Sequence, residues 1–214
     1  MKIELENVKP MDIERRSFEI IGQELEEKGK ILKPGTELIV KRCIHTSADF
    51  DYADNLLFSE GAVEQALAAI REGTDIVTDT QMAKAGINKR SLARYGGEVH
   101  CFMSDEDVAA AAKEMGSTRA TACMDKAAAL GGNFIYAVGN APTALVRLYE
   151  LIQEGRINPR LIIGVPVGFV NVVASKELIM QTQVPWIVAR GRKGGSNIAA
   201  CICNALLYML NNER

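Results

Sequence analysis

His45 is one of only two histidines in the 214-residue chain, and it stands between an apolar, β-branched run and the small hydroxyl residues Thr46 and Ser47. An imidazole so placed can donate or accept a proton near neutral pH, a step worth about 10² to 10⁴ in rate where it operates. The same position also suits a structural histidine bonded to a loop carbonyl. Cys43 lies two residues earlier, so on a strand the thiol and the imidazole would share a face. That admits a Cys–His nucleophile, but neighbours on one strand face diverge rather than meet, and a buried, inert thiol is the simpler reading. His100, inside the apolar stretch 98–102, reads as structural. Cys201 and Cys203, two apart on a helical stretch, cannot face each other, and with so few histidines no zinc ligand set emerges.

The cations and amide-rich loops suggest a second kind of chemistry, the binding of anions. Arg119 follows Ser117-Thr118 where a new helix begins, and a cation there opposes the helix dipole by a few tenths of a kcal/mol, up to about 1. An anionic ligand would compensate, as would a nearby carboxylate. The loop Gly191-Arg192-Lys193-Gly194-Gly195-Ser196 combines two cations, free backbone amides and a serine at a helix start, the ingredients for holding a carboxylate or phosphate. In Gly139-Asn140-Ala141-Pro142-Thr143, Asn140 could hydrogen-bond a carboxylate or amide, although the segment could equally be only a turn before a Pro-started helix. Neither a Walker-type nor a dinucleotide-type glycine motif occurs, so nucleotide binding has little support.

These residues need a scaffold, and the chain alternates helical and extended signals throughout. Residues 12–27 carry Ile13, Phe18, Ile20, Ile21 and Leu25 among charges, an amphipathic helix. Residues 38–44 read as a strand leading into His45. Ser59 can cap the Ala-rich helix that follows, with Gly73 ending it. Short strands are expected at 75–78 and 98–102, the latter leading into a helix opened by a Ser104/Asp107 capping box and closed by Gly116. Strands at 134–138, 161–165 and 186–189 are each followed by a Gly-containing loop and a helical run. The pattern predicts an α/β fold, a single three-layer αβα domain over residues 1–214 with a mainly parallel central sheet. Ligands of such sheets bind beyond the carboxyl ends of the strands. That rule selects His45-Thr46, Thr78-Asp79-Thr80, the Asn140 loop, Pro166-Val167-Gly168 and the 190–196 loop.

Composition narrows the partners. The 48% hydrophobic and 24% charged content is that of a globular protein, large enough to bury a core without staples. A net charge of -2 argues against a nucleic-acid partner. The opening Met1-Lys2-Ile3-Glu4-Leu5-Glu6 lacks a signal peptide's basic and apolar start, no run approaches a membrane span, and the five scattered cysteines read as reduced thiols. A cytoplasmic protein is expected.

Six segments together resemble one family. Arg15-Arg16-Ser17-Phe18, Arg42-Cys43-Ile44-His45, Thr118-Arg119, Gly139-Asn140-Ala141-Pro142-Thr143-Ala144-Leu145, Val165-Pro166-Val167-Gly168-Phe169-Val170 and Gly191-Arg192-Lys193-Gly194-Gly195-Ser196 are similar, in this order and spacing, to the precorrin-8X methylmutases of cobalamin biosynthesis, nearly end to end. The resemblance implies an isomerase that moves a methyl group from C-11 to C-12 of a corrin precursor, giving hydrogenobyrinic acid or its cobalt form, cobyrinic acid. It implies a homodimer with the substrate in a cleft at the interface, no resident metal or cofactor, and any cobalt belonging to the substrate. By motif, His45 would be the catalytic residue, protonating or hydrogen-bonding the macrocycle, and Ser17 and Arg119 would hold substrate polar groups. Asp79, Thr80, Asn140, Lys193 and Gly194 are further substrate-binding candidates. The segment from His45 to Phe50 looks more like the cobalt-pathway members. Two other readings compete: a corrinoid carrier without catalysis, which would not need His45, and a hydrolase or transferase using Cys43 with His45.

Overall fold

The computed structural model describes residues 6–211; residues 1–5, where a leader's basic and apolar start was sought, and 212–214 lie outside the described residues. A 3-10 turn at Pro10–Asp12 leads into α1 (Ile13–Glu27), followed by α2 (Glu37–Ser47), α3 (Tyr52–Asn55) and β1 (Leu56–Phe58). Next come α4 (Ala62–Arg71), β2 (Ile76–Thr78), α5 (Gln81–Gly86), α6 (Lys89–Ala93), β3 (Val99–His100), α7 (Glu106–Glu114) and α8 (Arg119–Ala129). Three strand–helix units finish the chain: β4 (Ile135–Val138) with α9 (Pro142–Gln153), β5 (Leu161–Gly164) with α10 (Val172–Met180), and β6 (Trp186–Ala189) with α11 (Ser196–Asn211).

The six strands form one sheet in the order β1-β6-β5-β4-β2-β3. All neighbours are parallel except β1, which pairs antiparallel with β6 at one edge. The expected three layers follow from side-chain alternation along each strand. Ile135 and Ala137 of β4 face a core shared with α1, α2, α4, α5, α6 and α11, whereas Tyr136 and Val138 face a second core shared with α7 to α10. A sheet buried on both faces needs continuous apolar strands, and every residue of β2, β4 and β5 is buried.

Residues 38–44 are not a strand. They form most of α2, because Ile39, Val40, Cys43 and Ile44 recur at i, i+1, i+4 and i+5, one face of a helix, and that face is buried. The small helix penalty of β-branched side chains is outweighed by packing against α1 and α11. Strand β1 is absent from the sequence reading; three residues at an edge carry too little periodicity to announce it. Other expectations shift locally. Gly61, in the left-handed region, stands at the start of α4, while the Ser59 hydroxyl accepts from the Trp186 amide. Asp105 rather than Ser104 precedes α7 and makes no side-chain cap.

Candidate active site

His45 lies in the last turn of α2, exposed, with Ala48 just beyond in the left-handed region at φ 54°. An alanine there costs about 1–2 kcal/mol, so the turn must be held by neighbours. The Ser47 hydroxyl donates to the Cys43 carbonyl at 2.7 Å and accepts from the Asp49 amide, and the Asp49 carboxylate accepts from the Asp51 amide. Phe18 of α1 meets the imidazole edge-on, ring centroids 5.6 Å apart. Behind Phe18 the Arg42 guanidinium lies 4.5 Å from the Tyr208 ring centre and is paired with Glu14 at 2.6 Å. His45 and Ser17 line one pocket of about 230 Å³ with Ile20, Ile21, Glu24, Ile44, Ala48 and Phe50, a mostly apolar wall with few polar groups.

A helix also separates the two groups that a strand would have aligned. Residues two apart on a helix point about 200° away from each other. Cys43 is fully buried and His45 is exposed, so a Cys43–His45 nucleophile is not built here. A hydrogen bond with Cys201, and then burial, push the Cys43 thiol well above its ordinary value, while the same contact lowers that of Cys201. His100 fits its structural reading, its Nε2 lying 2.9 Å from Asp75 and its ring stacked on Phe102.

The remaining candidates sit along the carboxyl edge of the sheet. The chain leaves β2 toward β3 on one side and returns to β4 on the other, so β2 and β4 bound the topological switch point where such sheets receive ligands. Asp79 fills it. The carboxylate, buried, accepts the backbone amides of Gly139 at 2.9 Å, Asn140 at 2.8 Å and Ala141 at 2.7 Å, and so shapes the loop after β4. Burial raises its pKa, opposed by those three bonds. Thr80 caps α5 by accepting from the Ala83 amide and shares a 2.8 Å hydrogen bond with Ser196 at the start of α11. The backbone of Ser196 and Gly195 presses on Gly139 so closely that a Cβ there would lie 2.7 Å away.

Gly194, at φ 154°, is tighter still, because a Cβ would meet the Val165 carbonyl at 2.0 Å. Its role in the geometry is close approach: the 190–196 loop lies on the end of β5, with the Gly195 amide donating to Val165 and the Gly168 amide to the Arg192 carbonyl. Lys193 is engaged in ion pairs, its ammonium 2.6 Å from both Asp49 and Asp51. These pairs tie the Gly-rich loop to the turn that follows His45. Arg192 is exposed and lies 5.3 Å over the Phe169 ring. Phe169 and Val170 are themselves 80% and 78% exposed, an apolar rim beside a cation.

Arg119 is the first residue of α8, exposed, and no carboxylate among the described residues pairs with it. Thr118 caps α8 and bonds Thr143 at 2.9 Å, so the amino ends of α8 and α9 lie side by side, next to the exposed Asn140. The structure thus strings the candidates along one edge: Arg119, Asn140, Gly194, Lys193, then through Asp49 and Asp51 to His45 and Ser17. The sequence reading missed the Thr118–Thr143 pair, the Phe18 edge contact, the two aspartates that hold Lys193, and Lys176, which is fully buried. Phe18, Thr118, Thr143 and Asp49 lie within segments already singled out, while Lys176 carried a separate signal, a lone cation within the apolar run of α10.

The precorrin-8X methylmutase family model matches residues 12–209. The chain belongs to the precorrin-8X methylmutase family. It is 47% identical over 205 residues to the cobalt-precorrin-8 methylmutase of Salmonella typhimurium, covering 94% of this chain and 96% of that protein. The corresponding protein of Priestia megaterium is 43% identical, with 96% and 90% covered. A crystal structure of precorrin-8x methyl mutase from Thermus thermophilus superposes with a TM-score of 0.84 at 38% identity, over 94% of this chain and 98% of that one. Membership makes the chain an isomerase of the methylmutase type and accords with the mostly parallel α/β architecture. Among the described residues no helix is long and apolar enough to cross a membrane, and no three His, Cys, Asp or Glu side chains gather as metal ligands.

Proposed function

We propose that the protein moves the C-11 methyl group of cobalt-precorrin-8 to C-12, giving cobyrinic acid, with His45 as proton or hydrogen-bond donor to the macrocycle. The observation that carries this reading is an exposed imidazole in the wall of an apolar pocket, in a chain of the precorrin-8X methylmutase family. The bond from C-11 to the methyl carbon breaks as the bond to C-12 forms, any proton lent by His45 returns to it, and the molecule has no net gain or loss of atoms. Such a shift within one conjugated ring asks the protein for orientation and a well-placed proton donor, so the reading requires no resident metal, nucleotide or nucleophile. The cobalt form is favoured because the relatives at 47% and 43% identity are cobalt-precorrin-8 methylmutases.

The substrate has an apolar ring with carboxylates around its rim, and the edge described above has matching parts. In this reading the wall of Ile20, Ile21, Ile44 and Phe50 faces the ring, and Ser17 and His45 supply its polar contacts. Arg119, Asn140 and Arg192 meet carboxylates on the rim, for which charge-assisted bonds to arginine are the strongest available. Asp79, Thr80, Gly194 and Lys193 contribute by fixing the loops that present those groups.

A pocket of about 230 Å³ falls below the roughly 300–1,000 Å³ that holds a drug-sized ligand, and a corrin is larger. The reading therefore includes a second copy of the chain closing the cleft, with the exposed Phe169 and Val170 beside it as the apolar surface such a partner would cover. The test is an absorbance time course of the purified protein with cobalt-precorrin-8. Moving the methyl alters ring conjugation, so catalytic conversion to the cobyrinic acid spectrum is expected. An unchanged spectrum with that ring and with its metal-free form, while ligand co-elutes, would replace the mutase reading with that of a carrier.

A further inference from the structure

Lys176 is a lysine in the interior, fully buried in α10. Its ammonium donates to the Gly191 carbonyl at 2.8 Å and the Lys193 carbonyl at 2.9 Å, and among the described residues no carboxylate is paired with it. Burial alone lowers its pKa to about 8. A methionine would fill nearly the same space without the cost of desolvating a charge, but it would leave the Gly191 and Lys193 carbonyls without their donor, so what sets the amine apart at this position is those two bonds. What the amine provides is geometric: two carbonyls, two residues apart, are drawn to one point, and the chain between them bulges outward at Arg192. The same loop is joined to the end of α2 by the Lys193 ion pairs with Asp49 and Asp51.

We propose that Lys176 is a positioning residue of the active site, anchoring the 191–195 loop from beneath so that Arg192 projects over the substrate rim and Lys193 can hold the turn beyond His45. The proposal rests on the methylmutase reading for its catalytic consequence, but the anchor itself can be measured without substrate. Lys176→Met removes both bonds and keeps an unbranched side chain. The expected result is faster hydrogen exchange at residues 191–195 with unchanged protection in β4 and β5, and a KM for cobalt-precorrin-8 raised about tenfold while kcat stays within about threefold. A role in folding alone would instead lower the unfolding temperature and protection throughout, leaving KM in the folded fraction unaltered.

Wild-type KM and loop exchange in a folded Lys176→Met protein would overturn the proposal. If that variant does not fold, the surface double variant Asp49→Asn/Asp51→Asn cuts the outer end of the same connection. Faster loop exchange and a raised KM are expected there too, and wild-type values for both would overturn the proposal. Absence of turnover in the wild type counts against the methylmutase reading, whereas unaltered exchange in Lys176→Met counts against the anchor.

Discussion

At the His45 wall two helices, α1 and α2, enclose a mostly apolar pocket, and each polar group is fixed by the rigid element that carries it. At the Arg119 and Arg192 rim the cations stand on a helix start and a loop, and the shape of those loops depends on side chains from elsewhere: Asp79 under residues 139–141, Lys176 under residues 191–193. In the proposed function the difference corresponds to two tasks. A proton donor must be held to within a fraction of an ångström of one reacting position, which a packed helix does well. Carboxylates on flexible arms need charge within reach, which a loop provides if it is kept from collapsing.

If the two walls divide the work in this way, substitutions should separate kcat from KM. The largest effect is expected at His45→Ala, a loss of about 10² to 10⁴ in kcat with cobyrinic acid still bound, read by the absorbance assay and by co-elution of product. Full activity in this variant would end the acid role of the first wall. Asp79→Ala leaves three backbone amides without their acceptor and is expected to destabilise the fold by about 2–4 kcal/mol, measured by urea denaturation. A smaller loss would mean that the loop after β4 holds its own shape. Arg119→Gln removes charge from the rim and should raise KM about tenfold with kcat nearly unchanged; a fall in kcat instead would place Arg119 with His45 and erase the division.

A solution-wide control comes from the buried thiols. Cys203 is pushed to about 12 by burial, against an ordinary value of 9. Between those values the unfolded chain has lost the thiol proton and the folded chain has kept it, so stability present below pH 9 falls as pH rises toward 12. Cys203→Ala should flatten that decline in urea midpoints while leaving both walls untouched. Cys43→Ala is expected to change turnover least, less than about twofold, because the side chain is buried on the opposite side of α2 from His45. Sedimentation at micromolar concentration should give a dimer, and a monomer that turns over substrate would show that one chain suffices for the cleft.

The legibility of the molecule divides along a similar line. Strands β2, β4, β5 and β6 were readable because buried parallel strands are short apolar runs closed by polar turns; Asn140 and the Gly-rich loop were selected by looking beyond their ends, and Arg119 as a cation at a helix start. The N-terminal third was harder. Ile39, Val40, Cys43 and Ile44 belong to residue types at home in strands, and packing against α1 and against α11, distant in sequence, outweighs that preference and makes them a helix. His45 was singled out as an imidazole at the end of an expected strand, beside small hydroxyl residues, and it lies instead in the last turn of a helix. Lys193 shows another limit: a cation in a glycine-rich loop looks available in sequence, yet two aspartates more than 140 residues earlier occupy it.

Asp79 leaves the sheet with an unusual internal arrangement. At the crossover between β2 and β4, where an open α/β sheet would offer amides to a cofactor's phosphate, the protein supplies its own carboxylate as a permanent resident. The most generic anion site of the architecture is thereby filled from within, and in the proposed function recognition falls to the rim. In that reading a scaffold so occupied suits a ligand broader than any one strand end, contacted by loops rather than by the sheet's own crevice.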